Sequence, residues 1–190
     1  MPEDDDFVTA LRSGKPLHRA RVEDVDTCKF RTLDERKWNE LVSCRWIRLR
    51  QNALILGPAG IGKTFVAAAL CHRSSQNGYS VFYTSGMRLL QNLIGTAKPL
   101  NRREHSALLS QKGLLAIDDF PPAVLLGDSD AETIATFLGD RRLHSSLLLI
   151  SNMPLSHWSR YWSAATRHLL DPVIVGAHIL ELKAQGCRGH

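Results

Sequence analysis

The sequence predicts an α/β fold: a five-stranded, mainly parallel sheet covered by helices on both faces. Three observations predict it. Short, wholly apolar runs alternate with longer segments of helical period along the 190 residues, the pattern of strands buried on both faces. The first apolar run ends on Gly57-Pro58-Ala59-Gly60-Ile61-Gly62-Lys63-Thr64, and the third ends on Asp118-Asp119.

Taken in order, residues 1–20 read as a flexible N-terminal arm. They are acidic from Glu3 to Asp6 and then carry Ser13-Gly14-Lys15-Pro16 with little periodicity. Residues 21–50 read as a short helical segment, because Leu33, Leu41, Val42, Trp46 and Leu49 recur near helical spacing up to Arg50. A domain over 51–190 follows. Asn52 to Leu56 is the first strand. Thr64 to Ser75 is a helix rich in alanine, stopped near Asn77-Gly78. Ser80 to Thr84, rich in β-formers, is the second strand. Met87 to Ile94 and Arg102 to Ser110 are two further helices. Leu114 to Ile117 is the third strand. Ser129 with Glu132 has capping-box spacing and opens a helix running toward Arg142. Leu147 to Ile150 is the fourth strand, and Ser156 to Leu169 is a helix broken before Pro172. Ala177 to Leu182 is the fifth strand.

Gly57-x-x-x-x-Gly62-Lys63-Thr64 matches the phosphate-loop pattern G-x-x-x-x-G-K-[ST] at every fixed position. Glycines let the backbone curl until consecutive N–H groups point inward. The helix that follows adds the positive end of its dipole. Lys63 is expected to reach the β- and γ-phosphates of ATP, and Thr64 to give its hydroxyl to Mg²⁺. The loop residues Gly57, Pro58, Ala59, Gly60, Ile61, Gly62, Lys63 and Thr64 form the expected cofactor site of a P-loop NTPase.

Strand C-termini gather at one edge of a parallel sheet, so Asp118-Asp119 is expected beside that loop. Asp118 would hold Mg²⁺, and Asp119 would orient or deprotonate the attacking water. Without the loop upstream, the same pair would read as an acidic turn before Pro121-Pro122. Asn152, after the fourth strand, either hydrogen-bonds the water or γ-phosphate or makes an Asx turn before Pro154.

Composition excludes several classes. No apolar run approaches the roughly 20 residues that span a bilayer, and the acidic start is unlike a secretory leader, so a cytoplasmic protein is expected. Cys28, Cys44, Cys71 and Cys187 form no C-x-x-C pair, and the histidines form no H-x-x-x-H pair. No metal beyond Mg²⁺ is therefore expected. Cys71 reads as a small core residue. The formal net charge is +5, with the segment from Arg12 to Arg50 holding most of the surplus. Arg45, Arg48 and Arg50, then Arg102 with Arg103, then Arg141 with Arg142 are either contacts to DNA phosphates or solvated helix faces. Trp158, Tyr161 and Trp162 stack on bases or, the favoured reading, pack beneath the sheet.

With these residues placed, the chain from Arg21 to Arg188 resembles the IstB-like transposition helper ATPases, AAA+ relatives of the DnaC helicase loaders. Beyond the phosphate loop, the resemblance is carried by Val22-Glu23-Asp24-Val25-Asp26 and Cys44-Arg45-Trp46-Ile47-Arg48. It continues through Leu115-Ala116-Ile117-Asp118-Asp119-Phe120, Ser151-Asn152 with His157-Trp158, and His178-Ile179-Leu180-Glu181-Leu182-Lys183. The resemblance implies an AAA+ core with an absent or minimal helical lid. It implies a protein that binds and hydrolyses ATP, assembles as an ATP-dependent homo-oligomer on duplex DNA without strong sequence preference, and recruits or stimulates a transposase. It also implies a nucleotide shared between subunits, completed by an arginine from the neighbour.

Three positions depart from the family pattern. Asp171-Pro172 stands where Asp-Arg is expected, which leaves Arg160 or Arg167 as candidates for the trans-acting arginine. Pro121-Pro122 replaces a usual glycine, and the arm that would help contact the transposase is short. Two alternatives keep the fold: a DnaC-like loader that binds a helicase, and a nucleotide-binding interaction module that no longer hydrolyses ATP.

Overall fold

The computed structural model describes residues 20–27, 30, 35–94, 113–121, 127–158 and 162–183. Its five strands are β1 (Ala53–Leu56), β2 (Ser80–Ser85), β3 (Gly113–Asp118), β4 (Ser146–Ser151) and β5 (His178–Glu181). They form one sheet in the order β2-β3-β4-β1-β5, with every neighbouring pair parallel. This is the five-stranded parallel sheet of an α/β fold that the sequence predicts, with the order of its strands now defined.

The apolar runs become strands because both faces are covered. In β1, Ala53 and Ile55 face one core and Leu54 and Leu56 the other, so all four are buried. The first core is closed by the helices α1 (Glu35–Val42), α2 (Arg45–Arg48) and α3 (Lys63–Gln76), which contribute Trp38, Leu41, Trp46, Ile47, Val66 and Leu70. The second is closed by α4 (Gly86–Leu93), α5 (Asp128–Arg141), α6 (Leu155–Trp158) and α7 (Ala164–Ile174). Trp158 and Trp162 flank Phe120 there, with ring centroids 5.2 and 5.9 Å away. Those two tryptophans are core, as favoured; Tyr161 lies outside the described residues.

Five local expectations need correction. The helix expected to run unbroken to Arg50 is interrupted at Cys44, which adopts a left-handed conformation (φ 56°). The turn buries the Cys44 thiol against the Ser74 hydroxyl at 3.6 Å and lets the Trp46 indole donate to the Leu41 carbonyl at 3.0 Å. It also leaves Leu49 52% exposed, off the apolar face assigned to it. The capping box at Ser129 does not form. Helix α5 starts two residues earlier, behind Gly127 as its N-cap, and acidic Asp128 and Asp130 in its first turn complement the helix dipole.

The single helix from Ser156 to Leu169 is two, α6 and α7. The second is capped by Ser163, whose hydroxyl accepts the Thr166 N–H at 3.2 Å. Pro172 lies inside α7 and does not end it. Its missing N–H falls in the last turns, beside the exposed Arg167 and His168, and the helix closes with Val175 N–H donating to Asp171 at 2.8 Å. Finally, Arg141 is buried and is not part of a solvent-facing basic pair. Burial pulls its pKa down to about 10.

The helix expected at Arg102–Ser110, the arm ahead of residue 20, Cys28 and Cys187 lie outside the described residues. Cys44 and Cys71 are buried free thiols whose pKa values burial pushes up. Among the described residues no helix is long and apolar enough to cross a membrane.

Candidate nucleotide-binding site

The loop between β1 and α3 is shaped by crowding on one side and open space on the other. Gly57 N–H donates to the Ser151 carbonyl at 3.2 Å, which holds the chain against the end of β4 as it leaves β1. Leu182 N–H donates to the Leu56 carbonyl at 2.7 Å, and a Cβ on Gly57 would stand 2.5 Å from the Leu182 carbonyl oxygen. Only glycine fits there. Gly62, at φ 103°, turns the loop into α3 in a conformation that other residues rarely adopt. As the N-cap it brings no side-chain oxygen. The first N–H groups of α3 therefore have no capping side chain, the condition under which a helix N-terminus receives an anion.

Lys63 opens α3. Its side chain is only 6% exposed and folds back over the loop, where Nζ donates to the Pro58 carbonyl at 2.7 Å. Burial lowers the pKa of this ammonium, while the charges of Asp118 and Asp119 act in the opposite direction.

The acidic pair comes to the same place from the end of β3. Asp118 Oδ2 accepts the Thr64 hydroxyl at 2.9 Å and the Tyr83 hydroxyl at 2.6 Å, while its Oδ1 accepts the Asp119 N–H at 2.9 Å. That last bond accompanies a left-handed backbone at Asp119 (φ 52°), tolerable for aspartate. Asn152, beyond β4, donates from Nδ2 to Asp119 Oδ1 at 3.2 Å. Lys63, Thr64, Asp118, Asp119 and Asn152 thus converge at the C-terminal edge of the sheet.

Tyr83 is the residue that sequence reasoning missed. In the parallel register Ser85 pairs with Asp118 and Tyr83 with Ala116, so Tyr83 stands one step back on the same face. The available signal was a hydroxyl-bearing aromatic in a strand whose neighbours Phe82 and Val81 are apolar. Tyr83 is buried, and burial together with Asp118 raises its phenol pKa, which keeps it a proton donor.

The basic residues lie elsewhere. Arg45, Arg48 and Arg50 are exposed just ahead of β1, and the Arg50 guanidinium donates to the Leu143 carbonyl ahead of β4 at 3.3 Å. They sit at the opposite end of the strands from the phosphate loop. Arg167 is exposed on α7, whereas Arg102, Arg103 and Arg160 are outside the described residues.

Solved structures share this fold. The DnaC helicase loader superposes with a TM-score of 0.65 at 16% identity, covering 90% of this chain and all of that one. DnaI gives 0.64 at 18% identity, over 90% and 92%. A replication initiator DnaA bound to AMPPCP and single-stranded DNA gives 0.64 at 19% identity, over 90% and 51%.

Sequence relatives are nearer. A Pseudomonas fluorescens protein named as an ATP-binding protein of insertion sequence IS1162 is 35% identical over 155 residues, 80% of this chain and 67% of that protein. One from Sinorhizobium fredii, named as an insertion sequence ATP-binding protein, is 30% identical over 180 residues, 94% of this chain and 73% of that protein. The model of the IstB-like ATP binding protein family matches residues 3–190. With that match over nearly its whole length, the chain belongs to the IstB-like ATP-binding proteins.

Proposed function

We propose that this chain binds Mg-ATP on the 57–64 loop, hydrolyses it, and uses the cycle to act as a DNA-binding helper of a transposition system. The observation that carries the reading is the convergence of Lys63, Thr64, Asp118, Asp119 and Asn152 on one edge of the sheet. The N–H groups of the loop and of the first turn of α3 receive the phosphates. Lys63 exchanges its bond to Pro58 for one to the β- and γ-phosphates. Asp119 takes up the proton of the attacking water, and Asn152 fixes the carboxylate that does so.

The donor set fits Mg²⁺. The ion would take hard oxygen ligands, which the Thr64 hydroxyl and the Asp118 carboxylate supply side by side. The Thr64 hydroxyl and Asp118 Oδ2 are at 2.9 Å. Mg²⁺ would take its remaining ligands from phosphate and water. When bound, the ion neutralises charge between the β- and γ-phosphates.

The finer parts of the reading rest on the family. Relatives are named for insertion sequences, which supports a transposase as partner. The exposed Arg45, Arg48 and Arg50 would meet DNA phosphates, and Arg102 with Arg103 would add to them. An ATP-dependent homo-oligomer would place Arg167 or Arg160 of one copy against the nucleotide of the next. In this reading residues 51–190 are the ATPase unit, 21–50 its helical lead-in and 1–20 the partner-facing arm.

Pro172 inside α7, where an arginine is expected, favours a second reading in which nucleotide is bound without turnover. The deciding experiment measures phosphate release and particle size with and without ATP and duplex DNA. The helper reading expects ATP to drive large assemblies on duplex DNA and DNA to stimulate release. Binding without release supports the second reading. A helicase captured in place of a transposase supports the loader.

A further inference from the structure

We propose that Tyr83 is a positioning residue for the metal-holding carboxylate, its hydroxyl fixing Asp118 so that one lone pair of Oδ2 is presented beside Thr64. The inference rests on the Mg-ATP reading of the site and adds to it a residue outside the motifs that define it.

Asp118 Oδ2 accepts two hydroxyls, from Thr64 at 2.9 Å and from Tyr83 at 2.6 Å. The two donors differ in what they can give up. Thr64 is half-buried at the mouth of the loop, and its oxygen is itself a metal ligand in this reading, so its bond to Asp118 is exchanged when the ion arrives. Tyr83 is held in the core between β3 and α3, where its ring packs among the buried residues. Its phenol has no role at the phosphates, so its bond persists. A carboxylate oxygen offers two acceptor directions. With one committed to Tyr83 and Oδ1 committed to the Asp119 N–H at 2.9 Å, the carboxylate is pinned at both oxygens and the free direction points toward Thr64. Partners of this kind orient first ligands, and their loss costs metal affinity about 10- to 100-fold.

Tyr83→Phe keeps the ring and its packing and deletes only the hydroxyl. Mn²⁺, read by electron paramagnetic resonance in the presence of a non-hydrolysable ATP analogue, reports the metal directly. A fluorescent ATP analogue in EDTA reports nucleotide binding without metal. The inference expects Mn²⁺ affinity to fall about tenfold or more in the variant, with metal-free nucleotide affinity changed by less than about twofold.

A merely structural tyrosine would move both readouts or neither, and either outcome overturns the proposal. In an Asp118→Ala background Tyr83→Phe should have no further effect on Mn²⁺; an effect of full size there contradicts action through Asp118. If the parent protein itself shows no metal-dependent nucleotide binding, the reading of the site falls and the inference falls with it.

Discussion

Two asparagines stand at opposite ends of the same sheet and are bonded in opposite ways. Asn52, just ahead of β1, is buried and spends its side chain on the backbone. Its Nδ2 donates to the Val173 carbonyl at 2.9 Å, and its Oδ1 accepts the Leu147 N–H at 3.0 Å. It fastens α7 and β4 to β1. Asn152, beyond β4, is exposed and bonds another side chain, Asp119, at 3.2 Å. A buried amide tied to main chain is fixed structure, because breaking it strands polar groups away from water. An exposed amide tied to a carboxylate can exchange partners with a ligand at little cost.

Substitutions at the two ends should separate activity from stability. The largest effect is expected at Asp119→Asn, which keeps shape and hydrogen bonding but removes the base. Single-turnover hydrolysis should fall about 10²- to 10⁴-fold, while calorimetric ATP affinity and the unfolding midpoint hold. Loss of affinity with intact turnover would reassign Asp119. Next comes Asn52→Ala, which leaves the Leu147 N–H and the Val173 carbonyl unsatisfied. Denaturant unfolding should show a loss of about 2–4 kcal/mol, with ATP affinity per folded molecule unchanged. A drop in affinity without loss of stability would erase the contrast between the ends. The smallest is Asn152→Ala. Hydrolysis should slow by up to about tenfold, the worth of one oriented hydrogen bond, with the unfolding midpoint unmoved. Destabilisation equal to that of Asn52→Ala would make Asn152 a second clamp.

The convergence of the 57–64 loop and the acidic pair on one edge was legible in the sequence because residue type and spacing there follow from backbone geometry. Gly57 meets the chain after β5, Gly62 turns into a helix, and Lys63, Thr64 and Asp118-Asp119 sit at fixed offsets from strand ends. The alternation of apolar runs sufficed for the number of strands and their places along the chain, since the inner strands β1, β3 and β4, buried on both faces, have no polar face to confuse them. Part of what escaped depends on partners distant in sequence. Cys44 breaks a helix by adopting a left-handed turn toward Ser74. Tyr83 acquires its role only when β2 and β3 come into register. Arg141 is buried by the packing of α5, although a basic pair reads as surface. Ser129 has the spacing of a cap, yet the chain enters α5 at Gly127, which spacing alone does not reveal. Pro172 reads as a stop, whereas the last turns of a helix beside exposed positions accommodate it.

The account depends on the curled loop and the acidic pair closing around one Mg-nucleotide. Calorimetric titration of the folded protein with a non-hydrolysable ATP analogue, with and without Mg²⁺ and beside Lys63→Ala, tests this most directly. One saturable site is expected, weakened by omitting Mg²⁺ and weakened about tenfold or more by Lys63→Ala, the loss of a charged hydrogen bond to phosphate. No heat from well-folded protein, or equal binding by the Lys63→Ala variant, would contradict it.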